Sequence, residues 1–91
     1  MPPLSLGVLL RELAAARQRA TYGAVGGLIG RLPRSVMQGL PKNAANSWVV
    51  LASTGEPSGY HAAQMDPMLK RNPEIIREAG ELRRWFDART S

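Results

Sequence analysis

The chain is 91 residues long, 44% apolar, and carries a formal net charge of +5 at pH 7. That length suits one domain, taken as 1–91, and the absence of cysteine excludes a disulfide framework, a cysteine-ligated zinc site and a cysteine nucleophile. Its apolar runs span a few residues, far below the ~20 needed to cross a bilayer, and no cationic segment precedes the first of them. The expectation is therefore no membrane span, no secretory signal and a cytoplasmic location.

Leu6, Leu9, Leu10, Leu13 and Ala14 recur at helical spacing, which predicts an amphipathic helix over about 5–16 with Ser5 as N-cap. Arg17-Gln18-Arg19 suits its C-terminus, where cations oppose the helix dipole. A second helix is expected from Tyr22 to about Ile29, capped by Thr21 and stopped by Gly30. Gly26 and Gly27 lie inside it. They cost helix propensity, so they point to close backbone approach by another element.

Pro33 fits the first position of a third helix, Arg34 to Leu40, which Pro41 ends. Two helices joined by a short turn containing glycine are the plan of a helix-turn-helix. Ser47 to Ala52 is rich in β-formers and reads as a buried strand. Thr54 to Gly59 reads as a turn or wing, although it lacks an alternating partner strand. Asp66-Pro67 offers a short helix holding Met68 and Leu69. Asn72-Pro73-Glu74 combines a cap, a proline and an acid, and so marks the start of a C-terminal helix. Ile75, Ala79, Leu82 and Phe86 would share its apolar face, opposite Arg77, Glu78, Glu81 and Arg84.

The charge is segregated. Residues 1–50 hold six basic residues and one acid, whereas residues 51–91 hold six of each. Basicity confined to one half suggests a face for a polyanion, with nucleic acid the leading candidate. No catalytic set stands out. His61 is the sole histidine, and nothing in the sequence unites Ser58, His61 and Asp66. Gly23, Gly26, Gly27 and Gly30 follow no strand and precede no Lys-Ser/Thr, so helix packing explains them better than a phosphate loop. No metal and no cofactor is expected. Thr21-Tyr22-Gly23 opens a helix. There the tyrosine either meets a phosphate held by free N–H groups or packs on the first helix.

Several of these segments, in order, resemble the DNA-binding domain of the alkylguanine-DNA alkyltransferases, and still more their non-catalytic relatives, the alkyltransferase-like proteins. The stretches are Val8 to Leu13, Arg19 to Val25, Leu28 to Arg31 and Arg34 to Leu40. They correspond to a helix, a "TYG" helix start, a "LIGRP" turn and a recognition helix "R-x-V-G-x-A-L". Val49-Val50 with Gly55 resembles "RVV…G", Ser58-Gly59-Tyr60 resembles "GGY", and Ile75 to Gly80 resembles "LLxxEG".

The resemblance covers about residues 6–82. It implies a mainly α winged helix-turn-helix with a short strand and wing and a C-terminal helix. It implies entry into the minor groove of double-stranded DNA, rotation of an alkylated base out of the stack, and repair proteins as further partners. Carried over by position, Tyr22 meets the phosphate of the flipped nucleotide and Arg34 fills the vacated space. Ser35 and Gln38 lie along the groove, and Thr21, Arg31 and Lys42 belong to the same DNA-binding set. Ser58 and Tyr60 line the lesion pocket, joined by Trp48 if it stacks on a base rather than starting a buried strand.

The sequence departs from the family in three places. Ala45-Asn46-Ser47-Trp48 stands where the transferases carry "PCHR". Without a thiolate no alkyl group can pass to cysteine, so the expectation is a binding protein and not an enzyme. Met37 replaces the small glycine of the recognition helix, and Ala79 stands at the acid of "LLxxEG", with Glu78 one place early. Two rival readings remain open. One is a winged-helix regulator of undamaged DNA reading bases through Arg34, Ser35 and Gln38. The other is a protein-interaction domain docking through Arg83, Arg84 and Trp85. No small-molecule substrate is expected.

Overall fold

The computed structural model describes residues 4–91. Helix α1 spans Leu6–Ala16, strand β1 Arg19–Thr21, and helix α2 Tyr22–Ile29. Strands β2, Val49–Val50, and β3, Ile75–Ile76, come next, and helix α3 covers Ala79–Thr90. Among the described residues the domain is thus three α-helices and a small parallel sheet.

Helix α1 begins where the sequence marks it. The Ser5 hydroxyl accepts from the Val8 N–H at 3.2 Å, one of the four N–H groups a helix start leaves without a partner. Leu9, Leu10 and Leu13 turn inward and are buried. The helix ends as Arg17 enters the left-handed region at φ 54° and its N–H returns to Ala14 and Leu13 carbonyls. That reversal sends the chain straight into β1.

Strand β1 lies at the centre of the sheet, in the order β2-β1-β3, and both pairings are parallel. Ala20 faces Val49 and Thr21 faces Val50 on one side, while Arg19 faces Ile75 and Ala20 faces Ile76 on the other. Parallel partners need long crossovers. Here the helices and the irregular 51–74 segment supply them.

Helix α2 starts one residue after the sheet. Thr21 Oγ1 accepts from the Ala24 N–H at 3.0 Å, and Gly30 closes the helix at φ 76°. Gly26 and Gly27 do what their placement suggests. A Cβ at Gly26 would lie 2.5 Å from the Arg31 carbonyl oxygen, and one at Gly27 would lie 3.0 Å from Ala79 Cβ. Helix α2 therefore presses against the 31–36 segment and against α3. Leu9, Leu13, Val25, Val36, Trp48, Val49, Leu82 and Phe86 form the centre of one continuous core.

Several expectations are corrected. Arg34 to Leu40 is not an α-helix: a 3-10 turn covers Pro33–Ser35, and the chain continues in turns. Its backbone bonds run from Ser35 to Leu32, Val36 to Pro33, Gln38 to Ser35 and Leu40 to Met37, each three residues apart. Gly39 at φ 83° and the adjacent Pro41 deny the segment the length that helix cooperativity requires. The strand predicted over Ser47 to Ala52 is only Val49–Val50, since Leu51 turns away to accept from Gly55 and donate to Glu56. Thr54 to Gly59 takes the turn form of its two expected forms, and the strands among the described residues pair only in parallel. Asp66 to Leu69 is a turn held by the Asp66 carboxylate accepting from the Met68 N–H at 2.8 Å.

The C-terminal helix, finally, begins at Ala79 rather than at Pro73. Asn72 does cap, accepting from the Glu74 N–H at 3.0 Å, but the cap closes a turn. Tertiary pairing wins over local propensity here. The Gln18 amide donates to the Glu74 carbonyl, Arg19 donates to the Asn72 carbonyl, and β1 offers Ile75 and Ile76 a strand partner. At the far end Arg89 pairs with Glu12 at 3.0 Å, tying α3 to α1.

Candidate nucleic-acid interface

The first residue of α2 lies under an open cavity of about 640 Å³. Tyr22 provides part of its floor. One wall is the 33–42 segment with Arg34, Met37, Gln38 and Lys42, and the other is Leu51 with Ser58 and Tyr60. Two hydrogen bonds join the parts. The Ser58 N–H donates to the Tyr22 hydroxyl at 3.0 Å, and the Tyr60 hydroxyl donates to the Asn43 carbonyl at 3.3 Å.

Those two bonds leave complementary chemistry facing the space. A phenol has one donor and two acceptor positions. Tyr22 uses an acceptor position on Ser58, so its hydrogen remains free for an anionic oxygen. Tyr60 spends its hydrogen on Asn43, so its oxygen remains an acceptor. Burial pushes the Tyr60 phenol above the ordinary tyrosine range, with a further upward push from Tyr22. Arg34 and Lys42 bring two cations to the rim, no acid lines the cavity, and neither cation is ion-paired among the described residues. The local field is thus positive and available to a polyanion.

Six residues of the sequence-derived set meet here: Tyr22, Arg34, Gln38, Lys42, Ser58 and Tyr60. The others do not. Thr21 is buried and committed to capping α2. Ser35 stands beside Arg34 but donates its hydroxyl to the Leu32 carbonyl at 3.0 Å. Arg31 is exposed at a separate shallow depression with Leu4, Leu6 and Leu28.

Trp48 is corrected outright. It is 1% exposed and packs in the core, so it cannot stack on a base without unfolding its surroundings. Its indole Nε1 has no partner. The neighbouring positions are also structural. Asn46 donates to the Pro41 carbonyl at 3.0 Å, and buried Ser47 donates to Ala44 and accepts from the Asp66 N–H. Met37 packs half-buried against the core while lining the cavity.

No family model, curated protein or solved structure matches the chain. The described residues contain no helix long and apolar enough to cross a membrane and no group of three metal-binding side chains. No hydrogen bond joins Ser58, His61 and Asp66 among them, and the Asp66 carboxylate is taken by Met68.

Sequence reasoning missed Arg19. Read as a helix-terminal cation, it is instead a β1 residue, 6% exposed, whose guanidinium donates to the Gly55 carbonyl at 3.0 Å and to the Asn72 carbonyl at 2.8 Å. Burial first, and then repulsion from Arg77, pulls its pKa below the usual arginine range. The nearest signal in the sequence is its position two residues ahead of the Thr21 cap, where a strand must end.

Proposed function

We propose that the chain is a non-enzymatic DNA-binding domain of the alkyltransferase-like kind, which grips duplex DNA and receives an unstacked base in the cavity. The observation that carries this reading is the convergence of Tyr22, Arg34, Lys42, Ser58 and Tyr60 on one positive, open space. Flipping a base costs a few kcal/mol. A cation entering the stack and a phosphate held at a helix start can offset that cost. Arg34, exposed on a turn behind Pro33, would be the inserting cation. The free hydrogen of Tyr22 would meet the phosphate of the displaced nucleotide. A volume of about 640 Å³ lies within the usual range for small-ligand pockets, roughly 300–1,000 Å³, and so admits a single base.

The role ends at binding. The chain has no cysteine to accept an alkyl group, and the positions that would hold one are braced to Pro41, Ala44 and Asp66. The product of recognition would be a marked site handed to repair proteins.

The test is a titration at two salt concentrations of a duplex bearing one alkylated guanine and of the same duplex unmodified. The expected result is steep weakening with salt, tighter binding of the alkylated duplex, and weaker binding by Arg34→Ala and Tyr22→Phe. Affinity indifferent to salt would remove phosphate contact from the reading. Equal affinity for both duplexes would remove lesion recognition, and preference for one unmodified sequence would favour a regulator.

A further inference from the structure

Arg19 poses a problem that the DNA-binding reading does not solve. A buried cation is costly, and it is ordinarily matched by a carboxylate. Arg19 has none among the described residues, and its Nε is left without a partner. A methionine or leucine would fill similar space without that cost. What the guanidinium gains instead is two backbone carbonyls, Gly55 and Asn72.

The position of Gly55 explains why that grip matters. It is buried at φ 72°, and its backbone approaches the guanidinium so closely that a Cβ would lie 2.8 Å from Arg19 Nη1. Three residues later the same loop donates its Ser58 N–H to Tyr22. Arg19 and Tyr22 are themselves three residues apart, at the start of β1 and the start of α2. One rigid stretch of backbone therefore holds the loop at both ends, by the carbonyl at Gly55 and by the N–H at Ser58. Arg77 adds a third hold, donating to the Ala52 carbonyl at 3.1 Å. Ser58 and Tyr60, at the end of the clamp, form the cavity wall.

We propose that Arg19 is a positioning residue: by fixing Gly55 it sets where Ser58 and Tyr60 stand, and so determines which base the cavity accepts without touching it. The inference rests on the reading of the cavity as a base receptor. It assigns selectivity to the clamp and leaves general DNA affinity to Arg34 and Lys42. A planar fork reaches two carbonyls at once, which the single ammonium of lysine cannot do in the same geometry.

The experiment uses the full chain as parent, Arg19→Lys and Arg19→Met. Amide hydrogen exchange is measured at Ser58 and at the core positions Ala20 and Val49. Each protein is titrated with the alkylated and unmodified duplexes. The expected result is parental protection at the core, Ser58 exchange faster by about tenfold, as for loss of one charged hydrogen bond, and a lesion preference reduced to near unity. Affinity for the unmodified duplex stays within about twofold, because no phosphate contact has changed.

Parental Ser58 protection in both variants overturns the proposal, and so does a loosened Ser58 with undiminished lesion preference. If Arg19→Lys does not fold, Arg19→Met decides the matter, since it removes the buried charge as well as the grip. A parent that binds neither duplex refutes the functional reading. The clamp is then judged by Ser58 exchange alone, and the two failures stay separate.

Discussion

Gly26 offers a sharp test of the packing. It lies within α2, where replacing glycine by alanine ordinarily gains up to about 1 kcal/mol. The structure reverses that sign. The new methyl would sit 2.5 Å from the Arg31 carbonyl oxygen and 3.3 Å from both Pro33 N and Val36 Cγ2. Comfortable carbon contacts lie near ~3.5–4.0 Å, so the 31–36 segment must retreat by roughly 1 Å. Two of the obstructing atoms are backbone, and Val36 is fully buried, which leaves no flexible tip to yield. Overpacking of this kind costs about 1–3 kcal/mol. Set against the propensity gain, the net loss for Gly26→Ala is up to about 2 kcal/mol, and each kcal/mol lost lowers Tm by roughly 4–8 °C in a domain of this size.

Gly7→Ala is the control. It is also helical but has nothing within 4 Å of its Cβ, so it should gain about 0.5 kcal/mol and raise Tm by ~2–4 °C. Thermal unfolding monitored by circular dichroism, checked by urea midpoints, measures both. A Gly26→Ala protein stabilised like Gly7→Ala would refute the close approach. It would also refute the placement of Arg34, which rides on the same segment.

The remaining tests concern the core, the cavity and the helix ends. Trp48→Ala should cost about 3–5 kcal/mol, enough to abolish a cooperative transition in a marginal domain, whereas Trp48→Phe should fold and bind DNA as the parent does. Weakened binding by a well-folded Trp48→Phe would return that residue to the interface. Tyr60 should ionise above the ordinary range near ~10, read by phenolate absorbance against Tyr60→Phe. Its folded pKa is raised, so its contribution to stability is whole below that range and is lost as pH climbs through the raised value. Arg34→Ala and Lys42→Ala should each lower the slope of log affinity against log salt by about 1 if each neutralises one phosphate. Glu12→Gln frees Arg89 from a half-exposed pair and should cost no more than about 1 kcal/mol, seen as earlier fraying of α3 in hydrogen exchange.

The parts of the fold that local chemistry decides were legible in the sequence. Ser5 and Thr21 cap the helices they precede, Gly30 stops α2, and Gly26 marks a close approach, because each acts on its nearest neighbours. The parts decided at a distance were not. Asn72-Pro73-Glu74 carries a genuine helix-start signal, yet Gln18 and Arg19, more than fifty residues away, take its carbonyls, and Ile75-Ile76 becomes a strand. Arg34 to Leu40 has helical composition, but each bond it makes is of the tighter kind, ending at Gly39. Among site residues, Tyr22 and Tyr60 could be named from the sequence. Which hydrogen each keeps free depends on Ser58 and Asn43, and only the folded geometry reveals that. Arg19 stayed hidden because an arginine near a helix end looks the same whether it is solvated or buried.

The order β2-β1-β3 also constrains how the domain can form. Its central strand is made first along the chain, yet Ile75 must arrive before β1 has both neighbours. Such distant pairings are slow to close, since the intervening chain must lose its freedom before any contact rewards it. The positively charged half is therefore no autonomous folding unit. Until residues beyond Ile75 leave the ribosome, β1 lacks one edge and α2 lacks the helix it packs against. A nascent chain halted at residue 70 would display Arg34 and Lys42 on an uncollapsed segment, with cation density but no cavity.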